Sequence, residues 1–170
     1  MSRLILVTGG AGSGKSRFAV DLAKTFGARI AFVATCLSGA DAEMREKIGA
    51  HRRERPPHWT TFENRLDLAR LLGELAVDGA VVDSMSLFVA GLLDEDGARR
   101  RSQVENFCRQ AASVPFPVVI VTDEVGCGLA PVNASGRKFR EALGWANQRA
   151  AAQADEVYFM VAGLPMKIKG

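Results

Sequence analysis

The chain has 170 residues, 48% hydrophobic and 24% charged, the balance of a soluble globular protein with a buried core rather than a disordered one. Its 22 basic against 19 acidic side chains leave a formal charge of +3, which suits an anionic ligand and is too small and scattered to imply nucleic acid. Three widely spaced cysteines, Cys36, Cys108 and Cys127, with no CxxC pair, argue against a disulfide scaffold or a thiolate zinc site.

Leu4-Ile5-Leu6-Val7-Thr8 is an apolar, β-branched run ending in glycines, which predicts a strand buried on both faces. Beyond the glycines Phe18, Ala19, Leu22, Ala23 and Phe26 recur at helical spacing, with Gly27 as a stop. A second strand is predicted over 29–34. A charged helix follows over 41–55, and Pro56-Pro57 must end it. Residues 66–76 read as a helix, 80–83 as a third strand, 87–93 as a helix and 94–97 as a loop. An amphipathic helix over 99–112 leads to a fourth strand at 117–122, with Asp123-Glu124 at its end. A long Ala-rich helix over 137–154 and a fifth strand at 156–162 complete the pattern. Strands alternating with helices predict a single α/β domain over 1–170 with a mostly parallel sheet, ligands binding beyond the carboxyl ends of its strands. No apolar run approaches the roughly 20 residues of a membrane span, and Leu4 to Val7 is too short for a signal-peptide core, so the expected location is the cytoplasm without stable membrane insertion.

Gly9-Gly10-Ala11-Gly12-Ser13-Gly14-Lys15-Ser16 fits the P-loop spacing, with a strand before it and a helix after, the context that motif requires. Glycines let successive N–H groups turn inward on phosphates, and the helix N-terminus adds its positive end. Lys15 can reach the β and γ phosphates as a point charge, and Ser16 offers a hydroxyl to Mg²⁺. The expected fold is therefore the P-loop NTPase-type three-layer arrangement. Asp83, at the end of an apolar strand, fits the second carboxylate such proteins place around Mg²⁺, or it caps the next turn. Glu124 suits metal or water positioning and equally a solvated loop charge.

Two histidines, His51 and His58, flank the most basic stretch of the chain, Arg52-Arg53-Glu54-Arg55. Such a stretch reads as a polyphosphate-binding surface or as an exposed charged helix. Aromatics at 7% and basic residues gathered near the phosphate motif speak against RNA.

The residues in order resemble a known family. GGAGSGKS comes first, followed by Val33-Ala34-Thr35, Glu43-Met44, Ile48, His51, Arg55-Pro56, Trp59 and Glu63. Asp83, Thr122-Asp123-Glu124-Val125-Gly126, Pro131, Asn133, Arg137 to Arg140, Asn147-Gln148 and Ala154 to Val157 complete the set. Together they look like the bifunctional adenosylcobinamide kinase / adenosylcobinamide-phosphate guanylyltransferases of cobalamin biosynthesis, along essentially the whole chain. The resemblance implies phosphorylation of adenosylcobinamide by ATP or GTP. Transfer of GMP from GTP through a histidine-GMP intermediate would then give adenosylcobinamide-GDP and pyrophosphate. It places the nucleophile at His51, with Lys15 as the catalytic cation. It also implies a guanine-nucleotide site lined by Ala34, Thr35, Cys36, Arg52, Arg53, Glu54, Arg55, Glu63 and Asp83, and homo-oligomers, with trimers the expected form. For Asp83 a role in hydrogen bonding to guanine or ribose competes with the Mg²⁺ role. Gly12, Ser84, Gly91, Ala134 and Trp145 depart from the family's usual residues, whereas the cradle and the imidazole are kept. The competing functions are a P-loop small-molecule kinase without the guanylyl step and a nucleotide-dependent switch or binding module.

Overall fold

The computed structural model describes residues 2–35, 55–63 and 67–170. The helix expected over 41–55 lies almost wholly outside them. Among the described residues seven strands form one sheet. They are β1 (Arg3–Gly9), β2 (Ile30–Ala34), β3 (Thr60–Glu63), β4 (Gly79–Asp83), β5 (Pro117–Val121), β6 (Glu156–Val161) and β7 (Leu164–Lys169). Their spatial order is β3-β2-β4-β5-β1-β6-β7, with every neighbouring pair parallel except β6 and β7. The described helices are α1 (Lys15–Ala23), α2 (Leu68–Glu74), α3 (Met85–Gly91), α4 (Gly97–Ser113) and α5 (Ala134–Gln153). This is the expected α/β P-loop-type fold. No helix among the described residues is long and apolar enough to cross a membrane.

Period-2 alternation divides the inner strands between two cores. Ile5, Val7, Phe32, Val81, Val119 and Val121 pack with Ala19, Val20 and Ala23 of α1 and with Trp59. Leu6, Val33, Val82 and Ile120 face the other way, onto Leu68 and Leu72 of α2, Phe88 of α3, Phe107 of α4 and Leu143 of α5. Phe88 and Phe107 meet edge to face with centroids 5.5 Å apart.

Three helices begin two or three residues before the expected positions, because capping side chains set their starts. Ser84 accepts from Leu87 N, Asp96 from Ala98 N and Arg99 N, and Asn133 from Gly136 N. Two strands escaped the sequence reading. β3 is a four-residue run, Thr60-Thr61-Phe62-Glu63, with no apolar core of its own and exists by pairing with β2. β7 follows a two-residue turn at Ala162-Gly163 with φ of 51° and 81°, the positive values a tight hairpin demands. Its Pro165 restricts it to the sheet edge, where it lies.

The β1, β6 and β7 strands are tied by one carboxylate. Glu156 accepts from the Tyr158 hydroxyl at 2.6 Å and pairs with Lys167 at 3.0 Å and with Arg3. The Tyr158 hydrogen bond, then those from Lys167 and Arg3, hold its carboxyl below the ordinary range against the opposing effect of burial. A depressed folded-state value means stabilisation that is present above the ordinary carboxylate range and is lost as pH falls through the lower one. Glu156→Gln is therefore expected to be less stable than the parent in urea at about pH 7, with the gap closing toward about pH 3. An equal gap at both would contradict the assignment.

Candidate nucleotide site

β1 lies between β5 and β6, and the chain leaves its carboxyl end through the glycine-rich turn into α1. The turn approaches its neighbours too closely for side chains. A Cβ on Gly9 would sit 2.6 Å from the Met160 carbonyl oxygen and 2.8 Å from Ser13 Oγ. Gly14, at φ 91°, caps α1 without any side-chain hydrogen bond. The first N–H groups of α1 are thus left without a capping side chain, which is the arrangement that receives an anion. Gly163 N, in the β6–β7 turn, donates to Ser13 O at 3.1 Å and supports the loop from behind.

Two buried side-chain oxygens among the described residues lack a partner, Thr8 Oγ1 and Ser13 Oγ. An unsatisfied buried hydroxyl costs about 1–3 kcal/mol. Ser13 lies inside the motif, so a phosphate oxygen would relieve that cost. Lys15 is only 8% exposed, and its Nζ donates to Gly10 O at 2.6 Å and pairs with Asp123 Oδ1 at 3.0 Å. Its ammonium is thereby held at the mouth of the loop.

The register brings together residues that lie far apart in the chain. Ala34 is opposite Glu63 on one side and Asp83 on the other, Asp83 is opposite Val121, and Val121 is opposite Val7. Residues in one row of a sheet point to the same face. Here Val7, Ala34 and Val121 belong to the α1-side core, so Glu63 and Asp83 project on the α1 side too. Arg55 lies on that side as well, its guanidinium 3.5 Å from the centroid of the Phe32 ring. Thr35 has a different position. Its hydroxyl donates to Ser84 O at 2.6 Å and accepts from Ser84 N at 2.8 Å, clamping the end of β2 to the turn after β4. Ser16, at the second position of α1, and Asp83 are hard oxygen donors of the kind that hold Mg²⁺ jointly with phosphate and water. Cys36, His51, Arg52, Arg53 and Glu54 lie outside the described residues.

Of the two carboxylates after β5, it is Asp123 that meets the lysine. Glu124 Oε1 accepts from Gly126 N and closes its own loop. Asp123 is seated by its backbone: its N–H donates to Ser86 Oγ of α3 at 2.8 Å and its carbonyl accepts from Asn147 Nδ2 of α5 at 3.0 Å. Asn147 Oδ1 in turn accepts from Thr122 Oγ1 at 2.7 Å. The sequence signal for this was a serine three residues past Asp83 and an asparagine on the expected long helix, neither of which announces its partner. Glu124 and Asn147 also line a cleft of about 510 Å³ with Arg100, Arg101, Lys138 and Trp145.

A family model described as cobinamide kinase / cobinamide phosphate guanyltransferase matches residues 5–168. The chain is 38% identical over 168 residues to the bifunctional adenosylcobalamin biosynthesis protein CobP of Pseudomonas aeruginosa, across 97% of this chain and 96% of that one. It is 36% identical to the bifunctional adenosylcobalamin biosynthesis protein CobU of Salmonella typhimurium and 34% identical to that of Escherichia coli, over 98% of this chain and 99% of each relative. Among solved structures, a prototypical ATPase from the type III secretion system of pathogenic bacteria shares the fold with a TM-score of 0.60 at 11% identity. That match takes in 98% of this chain and 57% of the other.

Proposed function

Because this chain belongs to the cobinamide kinase / cobinamide phosphate guanyltransferase family, we propose that it carries out both reactions on adenosylcobinamide. In the first, ATP or GTP gives its γ-phosphoryl group to the aminopropanol hydroxyl. In the second, GMP passes from GTP to the new phosphate, giving adenosylcobinamide-GDP and pyrophosphate. The observation that carries the reading is Lys15, buried at the mouth of a loop that also contains an unpartnered hydroxyl, at the carboxyl end of the sheet where β4 and β3 end in Asp83 and Glu63. One phosphate cradle can serve both reactions, since each begins with a triphosphate whose charge must be held.

Guanylyl transfer is assigned to His51. A neutral ring nitrogen attacks the α-phosphorus, the P–N bond forms, the α,β P–O bond breaks and pyrophosphate departs with the electron pair. An oxygen of the acceptor phosphate then displaces the imidazole. Two displacements replace one between mutually repelling anions. Backbone N–H groups at the start of α1 and Lys15 stabilise the charge on the departing phosphates. Mg²⁺, held by Ser16 and Asp83, would neutralise phosphate charge when bound. Ala34, Thr35, Cys36, Arg52, Arg53, Glu54, Arg55 and Glu63 are proposed to surround the guanine nucleotide, with Thr35 acting through the clamp it makes with Ser84. A homo-oligomer is part of the same proposal.

Intact-mass measurement after incubation with MgGTP should show addition of one GMP, labile in acid and stable in alkali, mapping to His51. His51→Ala should lose the adduct and keep phosphoryl transfer to adenosylcobinamide. A chain that turns over γ-phosphate without any adduct would be a small-molecule kinase. One that only hydrolyses the triphosphate would be a switch module.

A further inference from the structure

We propose that Asp123 is a catalytic residue of the phosphoryl-transfer step: it pairs with Lys15 and accepts the acceptor's hydroxyl once a nucleotide has taken the lysine. The inference rests on the reading above for the identity of the acceptor, and on geometry for the residue.

The carboxylate is 3.0 Å from Lys15 Nζ, at the mouth of the phosphate loop. The lysine's side chain is 9% exposed, whereas that of Asp123 is 38% exposed. One partner is thus enclosed while the other keeps an open side. Neither backbone group of Asp123 is free to drift, because Ser86 of α3 fixes its N–H and Asn147 of α5 fixes its carbonyl. Such anchoring from separate elements is what holds a reacting group to a productive position. A P-loop lysine turns to the β and γ phosphates of a bound triphosphate, and Asp123, with which it pairs here, then stands beside the terminal phosphate without its cation. The 510 Å³ cleft is lined by the next residue, Glu124, and by Asn147, which holds the Asp123 carbonyl.

The chemistry follows from that position. The acceptor hydroxyl donates a hydrogen bond to the Asp123 carboxylate. As its oxygen bonds to the γ-phosphorus, the bond to the β,γ-bridging oxygen breaks and that oxygen leaves with the electron pair on the nucleoside diphosphate. The hydroxyl proton passes to Asp123 and then to water, which restores the carboxylate to meet Lys15 again.

The two roles predict opposite effects of one substitution. In Asp123→Asn the lysine has no carboxylate to leave, so MgGTP should bind about fivefold more tightly. Phosphorylation of adenosylcobinamide should fall by about a hundredfold, the scale of a lost general base. Formation of the GMP adduct, which needs no hydroxyl acceptor, should persist. Asp123→Glu, which keeps a carboxylate, should recover part of the transfer rate and serves as the second variant should the asparagine form fail to fold. Unchanged transfer in Asp123→Asn overturns the proposal. So does a loss of transfer and nucleotide affinity together, the mark of a merely structural role. If the parent protein itself leaves the corrinoid unphosphorylated, the functional reading fails. The lysine-holding role then stands or falls on nucleotide affinity alone.

Discussion

Lys15→Ala is expected to abolish nucleotide turnover and leave the fold intact. The ammonium is buried, and its contacts are the Gly10 carbonyl and the Asp123 carboxylate, both of which belong to the site rather than to the core. Its removal takes away the mobile charge that meets the terminal phosphates. It also leaves Asp123 facing them uncompensated, so a like-charge repulsion is added to a lost attraction. The expected fall in phosphoryl transfer is about 10³-fold, with weaker MgGTP binding. Equilibrium titration and single-turnover rates measure these, and an unchanged thermal midpoint verifies the fold. Wild-type affinity in this variant would remove the loop from the mechanism. The two ends of one ion pair thus carry opposite expectations for affinity, lowered by Lys15→Ala and raised by Asp123→Asn.

The largest expected loss of stability is at Phe107→Ala. Phe107 is fully buried on α4 and packs edge-on against Phe88 of α3. Truncating a buried phenylalanine costs about 3–5 kcal/mol, a large part of the about 5–15 kcal/mol that keeps a domain folded. The cavity would open beneath α3, the helix whose Ser86 seats Asp123. Urea denaturation should show a lower midpoint with an unchanged slope. A loss under about 1 kcal/mol would mean that the two rings are not packed as described.

The parts of the fold legible in the sequence are those whose signal is local. β1, β2, β4 and β5 are apolar runs because neighbours bury them on both faces, and the glycine spacing after β1 identifies the phosphate loop without reference to anything distant. β3 was not legible because its residues become a strand only beside β2. β7 carries a signal that was passed over, Leu164, Met166 and Ile168 alternating with Pro165, Lys167 and Lys169 after a glycine turn, because its apolar residues alternate instead of forming the continuous run that marks the inner strands. In the site, Lys15 and Asp83 could be singled out by motif and strand end. Asp123 could not be told from Glu124, because the difference lies in hydrogen bonds to Ser86 and Asn147, residues 37 and 24 positions away. Which of two adjacent carboxylates reaches a lysine is decided by tertiary anchoring.

The central place of β1 in the sheet has a bearing on synthesis. Its flanking strands are residues 117–121 and 156–161, so β1 waits for partners made more than a hundred residues later. Pairings of such long sequence separation are slow to form, and a ribosome-bound chain short of residue 117 presents Leu4 to Val7 without either flanking strand. A nascent chain halted before β5 is therefore a natural client for holdase chaperones.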